Sequence, residues 1–167
     1  MRYFLFVLTV SIIWFLLTRP LSGLPTGSAH FPLITERSKH LVIASGICPQ
    51  PRNTKQAPLK YKQKINPLLA TTQNIEKGKL LYQVETKPTA CKMCHGIRGN
   101  GNGILARGLE PAPRNFTCKE IMEAISEGQL FWNIKNGSKG TAMPSHKFTL
   151  SNRDIWQIIF YLKNFYL

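Results

Sequence analysis

Apolar positions along this chain change their spacing twice. From Tyr3 to Thr18 the run "YFLFVLTVSIIWFLLT" is uncharged throughout, with Arg2 before it and Arg19 after it. It has no polar face, so it does not read as the amphipathic helix of a folded core. At 16 residues it is long for the apolar centre of a signal peptide and slightly short for a membrane span. Both readings export the remainder of the chain. In one the leader is cut near the small residues Gly27 and Ala29; in the other, residues 3–18 stay as a membrane anchor. From 20 to 65 the periodicity disappears. Prolines at 20, 25, 32, 49, 51 and 58 and scattered basic residues describe a linker. The short apolar run from Leu41 to Cys48 is either a strand or a piece packed on the neighbouring domain.

From Asn66 the spacing becomes helical. In "TQNIEKGKLLYQVE", Ile75, Gly78, Leu81 and Tyr82 share one face, Thr72 is the expected N-cap, and Pro88 ends the segment. "CKEIMEAIS" and "GQLFWNIKNG" read as two short helices, the second closed by Gly137. "SNRDIWQIIFYLKNFYL" begins at a capping Ser151 with Asp154 three residues on, and carries an apolar stripe of Ile155, Ile158, Ile159 and Leu162. No pair of strand-like runs is visible. Between the first helix and the others lies a loop with five glycines from Gly96 to Gly108 and prolines at 111 and 113. A loop of that length in a small domain wraps something or carries function. The prediction is an all-α domain at 66–167 with three to five short helices, preceded by a leader at 1–19 and a linker at 20–65.

Charge changes this picture only in its partners. The chain holds 22 Lys+Arg against 8 Asp+Glu, a net +14. Residues 1–64 carry nine basic side chains and one acidic, whereas 65–167 carry thirteen and seven. A basic surface suits acidic proteins, anionic lipid or nucleic acid, or is simply a solvated face. No nucleic-acid fold motif accompanies it, so no nucleic-acid partner is expected.

The chemistry concentrates in "TACKMCHGIRGNGNG", which begins at Thr89. Two thiols three residues apart, with an imidazole immediately after the second, admit three uses. A redox dithiol needs a preceding strand and a helix N-terminus that lowers the thiol pKa; here a proline-ended helix precedes the motif and a glycine loop comes after it. A zinc site could draw on Cys91, Cys94, His95 and Cys118, but ligands at adjacent positions fit one tetrahedral ion badly. The third use is covalent haem, for which C-x-x-C-H is the attachment signature. The thiols of Cys91 and Cys94 add to two vinyl groups, and His95 reaches the iron from the same side. For the other axial position the methionines differ. Met1 belongs to the leader, Met93 lies inside the motif, and Met122 sits in a helix as core filling. Met143, in a loop and just before Pro144, is the expected ligand, with His146 as the rival for a lower-potential centre.

With these residues in place the resemblance is specific. "NPLLATTQNIEKGKLLYQ", "CKMCHGIRGNGNGILARGLEPAPRNFT", "GQLFWNIKNGSKGTAMP" and "DIWQIIFYLKNF" occur in the order found in class I c-type cytochromes, over about three fifths of the chain. Asn102 and Asn115 stand where a bacterial branch of that family often has acids. The resemblance implies a cytochrome c fold around one covalent haem c and its iron. It implies that Gly78 and Tyr82 cross the last helix at Ile158 and Tyr161. It implies that a proline carbonyl, Pro111 or alternatively Pro113, accepts the bond from the imidazole of His95. It also brings Trp132, Trp156 and Arg114 towards the haem or its propionates, although both tryptophans read equally as core. Cys48 and Cys118 remain over; in an exported protein they suggest a disulfide, within the chain or between chains. The function implied is single-electron transfer between redox proteins in the periplasm, with no catalytic constellation, docking to an acidic surface. The alternative is an electron-transfer subunit of a larger dehydrogenase or terminal oxidase complex. A gas or redox sensor would need an output domain.

Overall fold

The hydroxyl of Thr71 starts the first long helix. Thr71 is extended (φ −78°, ψ 154°) and accepts from the amide of Asn74 at 3.2 Å, so the cap falls one residue before the expected Thr72, which already has helical backbone. The structure is a computed structural model and describes residues 48–50 and 52–167. The expected leader and anchor (1–19) and most of the run 41–48 lie outside the described residues.

Among the described residues six α-helices succeed one another: α1 (Leu59–Lys62), α2 (Thr72–Leu80), α3 (Lys92–His95), α4 (Lys119–Glu123), α5 (Glu127–Asn136) and α6 (Asn152–Lys163). Helix α2 runs on into a π-helical turn, Leu81–Glu85, closed by the amide of Thr86 on the carbonyl of Leu81. Among the described residues there is no strand, and the fold is all-α as expected.

Helix α6 organises the core. Ser151 and Asp154 form a complete capping box, each side chain accepting the other's backbone amide. The sequence pattern offers four apolar positions, yet eight consecutive residues, Ile155 to Leu162, are buried. Helix α6 is enclosed because α2 crosses one side and α5 packs on another. Gln157, on the face that a simple stripe would leave wet, donates to Asn74 Oδ1 at 2.9 Å, which pairs the two buried amides.

The crossing of α2 and α6 depends on Gly78. A side chain there would run into the carbonyl of Gln157. Without one, the two backbones approach directly. One turn on, Tyr82 is fully buried, meets Tyr161 edge to face at 5.3 Å, and donates to the carbonyl of Gly96 at 2.7 Å. The helix crossing is thereby tied to the loop after the cysteine motif. Met122 is fully buried in the same core.

The part of the expected linker within the described residues is bound along the domain. Cys48 and Cys118 form a disulfide, with Cα atoms 5.4 Å apart and a sequence separation of 70. Gln129 of α5 accepts from the amide of Ala57 at 2.7 Å and donates to the carbonyl of Lys55 at 3.1 Å. Helix α1 lies on α5, with Tyr61 stacked on Phe131. Residues 48–50 and 52–58 are therefore an arm laid across the domain surface.

Candidate functional site

Helix α3 is a single turn, and its brevity is useful. It begins after Cys91 and ends at His95, where Gly96 at φ +79° turns the chain away. One turn thus presents Cys91, Cys94 and His95, all of which line one cleft.

The imidazole of His95 is fixed twice. It stacks on Phe116 at 4.5 Å, and its Nδ1 lies 3.0 Å from the carbonyl oxygen of Arg114. A carbonyl can only accept, so Nδ1 carries the proton and Nε2 keeps its lone pair. Burial pushes the His95 pKa down to about 4, reinforced by the charges of Arg52 and Arg114 against the opposing effect of the Arg114 carbonyl. The ring is neutral at ordinary pH, the state in which an imidazole binds metal.

The carbonyl partner corrects the expectation for Pro111. Pro111 is exposed and lines the cleft, and the carbonyl of Pro113 accepts instead from Gln50 Nε2 at 3.2 Å. Arg114 holds the position because the next two residues are drawn inwards. Asn115 is 1% exposed, and Phe116 donates its amide to the carbonyl of Gly99 at 2.6 Å. Gln50 completes the clamp, its Oε1 accepting from the amide of Asn115 at 2.8 Å. One side chain of the arm thus holds the residues on both sides of the carbonyl that orients His95. Sequence reasoning missed Gln50; its only signal is position, two residues after Cys48. Replacing Gln50 by alanine leaves a buried carbonyl and a buried amide unpaired, at a cost of about 1–3 kcal/mol. Thermal melting should show that loss, and the environment of His95 should shift with it, as Nδ1 hydrogen bonding sets imidazole basicity.

Met143, Pro144 and His146 line the same cleft, so two segments far apart in sequence meet there. Their loop is held against the end of α5. Gly137 closes that helix at φ +71°, and a Cβ on it would meet Met143 and Pro144 backbone atoms at 2.7–2.8 Å. The amide of Ser138 donates to the carbonyl of Met143 at 3.1 Å. His146 is no surface residue: it is 5% exposed, with Nδ1 3.1 Å from the carbonyl of Lys87. Trp156 is buried and stacks on Phe131 at 4.4 Å, which makes it core; the cleft is lined by Arg114 and by neither Trp132 nor Trp156.

The competing uses of the thiols can now be separated. Burial raises the Cys91 pKa to about 11 and raises that of Cys94 as well, so neither is the reactive thiolate of a dithiol oxidoreductase. Cys118, the fourth candidate zinc ligand, is bonded to Cys48. The group formed by Cys48, Cys118 and Glu120 has both sulfurs in that disulfide and no thiolate to offer a metal. Two unbonded thiols, a neutral imidazole with a free Nε2 and a thioether around one cleft are a donor set that fits haem.

Comparison with known proteins agrees. The cytochrome c family profile matches residues 75–165. A chain of the reducing HAO-like protein complex of Kuenenia stuttgartiensis is similar at 25% identity and a TM-score of 0.51, over 60% of this chain and 47% of that one. This chain therefore spans about half the length of that relative. None of the curated proteins matches. With more than half its length matched, and with its motif cysteines and histidine gathered at one cleft, the chain belongs to the cytochrome c family, whose cofactor is covalently attached haem c with its iron.

Proposed function

We propose that the chain is a monohaem electron carrier with the haem held by Cys91 and Cys94 and the iron ligated by His95 and Met143. Bound haem would supply a one-electron couple between ferrous and ferric iron. The protein's part is to hold the ligands still, so that little has to move when the charge changes. Nε2 of His95 is kept free by the Arg114 carbonyl, and Met143 is kept at the cleft by Gly137 and Ser138. The observation that carries the reading is the meeting of the motif and the Met143 loop at one cleft. His146 is the rival ligand, because it lines that cleft with Nδ1 engaged and Nε2 free.

The absorption spectrum tests this directly. Protein from a host able to mature c-type haem should keep its haem after acid–acetone extraction. The ferric form should show the weak far-red band of an iron–methionine bond, and the ferrous form should not bind carbon monoxide. Covalent haem without that band would move the assignment to His146 or to an open, catalytic iron.

The compartment and partners belong to the same proposal. The uncharged run 3–18 supports export to the periplasm, with or without retention as an anchor; among the described residues no helix is long and apolar enough to cross a membrane. The excess of basic residues supports docking to an acidic redox partner, in which case electron-transfer rates fall as salt rises. Rates indifferent to ionic strength would count against an acidic partner. Membership in a larger complex is supported by the solved relative, itself part of a protein complex.

A further inference from the structure

The family resemblance brings Arg114 towards the haem or its propionates, but a second cleft arginine, Arg52, lies outside the matched residues. Arg52 and Arg114 both line it, alongside Thr54. Arg52 and Thr54 come from the arm, ahead of the matched residues 75–165, and Arg114 comes from the loop that orients His95. Arg114 Nη2 donates to Thr54 Oγ1 at 2.8 Å, which holds the arm and that guanidinium together. Arg52 Nε is buried with no hydrogen-bond partner. The ion pairs Lys77–Glu85, Lys119–Glu123 and Lys163–Glu127 take in neither arginine.

Two cations on one partly buried wall repel each other. Burial and that repulsion hold the Arg114 guanidinium down at about 10, and burial lowers Arg52 too. An unpaired buried donor costs about 1–3 kcal/mol, and a buried cation costs more unless an anion meets it. A carboxylate between the two side chains would turn repulsion into two charge-assisted contacts, and the guanidinium fork matches carboxylate geometry.

We propose that Arg52 and Arg114 together form the binding site for a carboxylate side chain of the haem, half of it supplied by the disulfide-pinned arm. The proposal rests on haem occupying this cleft. The arm is then a working part of the redox centre. Compensating the carboxylate with a guanidinium disfavours the ferric form and raises the potential; removing the guanidinium leaves negative charge that favours ferric iron.

The test compares holoprotein carrying Arg52→Gln or Arg52→Lys with wild type. Arg52→Gln should lower the ratio of ferrous to ferric protein at a fixed ambient potential about tenfold, a fall in midpoint potential of about 59 mV for one electron. It should also shift the resonance Raman bending modes of the haem carboxylates. Arg52→Lys should restore most of the potential, because it keeps the charge, but not the mode positions, because it lacks the fork. The far-red band and the far-ultraviolet dichroism should be unchanged in both, which separates this test from that of the Met143 assignment. Wild type without haem would sink the carrier reading itself. Unaltered potential and modes in Arg52→Gln would overturn the carboxylate site, as would Arg52→Lys falling as far as Arg52→Gln. The same anion chemistry could come from a free ion or from a partner's carboxylate. A wild-type potential that responds saturably to added phosphate, or an Arg52→Gln defect confined to partner docking, would assign the pair to those sources and overturn the haem assignment.

Discussion

Replacing Met143 by alanine should abolish the far-red band of the ferric protein, lower its midpoint potential, and open the ferrous iron to carbon monoxide. A thioether favours ferrous iron, so its loss shifts the balance towards ferric. Nothing about His95 should change, because its anchors, Phe116 and the Arg114 carbonyl, lie on other segments. Truncating a buried methionine costs about 2–5 kcal/mol. Met143 is only half-buried against the core, so its packing loss belongs at the lower end of that range, about 2 kcal/mol. His146→Ala is the informative partner experiment. It should keep the far-red band and lose stability instead, since its imidazole bridges to the carbonyl of Lys87. If His146→Ala loses the band and Met143→Ala keeps it, the ligand assignment is reversed.

The second large effect should come from a residue that touches no part of the cleft. Gly78→Ala would gain about 1 kcal/mol in helix propensity. Against that, its methyl group would meet the backbone carbonyl of Gln157, which cannot swing aside as a flexible side chain can. Overpacking costs about 1–3 kcal/mol, more where the neighbour cannot yield. The clash wins, and a net loss of about 2 kcal/mol should lower the melting temperature by roughly 10 °C for a domain of this size. Gly78→Val should prevent recovery of folded holoprotein. A Gly78→Ala variant that melts at or above the wild-type temperature would show that the two helices are not held at this separation.

Parts of this architecture were legible in the pattern of residues, for identifiable reasons. The helix crossing was legible through the family resemblance, which sets Gly78 and Tyr82 against the last helix, and a glycine there suits close approach. The cap at Ser151 was readable because its partner, Asp154, lies within the same turn. The cysteine motif was readable because its chemistry is local, five residues on one turn. What escaped was long-range. Arg114 replaces Pro111 as the carbonyl partner of His95 because of how far Asn115 and Phe116 are drawn in, which no local spacing encodes. The burial of His146 depends on the carbonyl of Lys87, 59 residues away. Gln50 and Arg52 lie in a stretch without periodicity, and their roles arise only once a disulfide spanning 70 residues brings them to the loop.

That disulfide also decides where this module could be cut. Its recognisable portion begins at residue 75, and a graft into another chain would naturally start there. Such a graft would carry every expected iron ligand and still leave the loop around Arg114 without its brace, one guanidinium without its neighbour, and Cys118 as an unmated thiol beside two others awaiting haem. The transferable unit reaches back at least to Cys48, so sequence similarity understates the working domain by at least 27 residues.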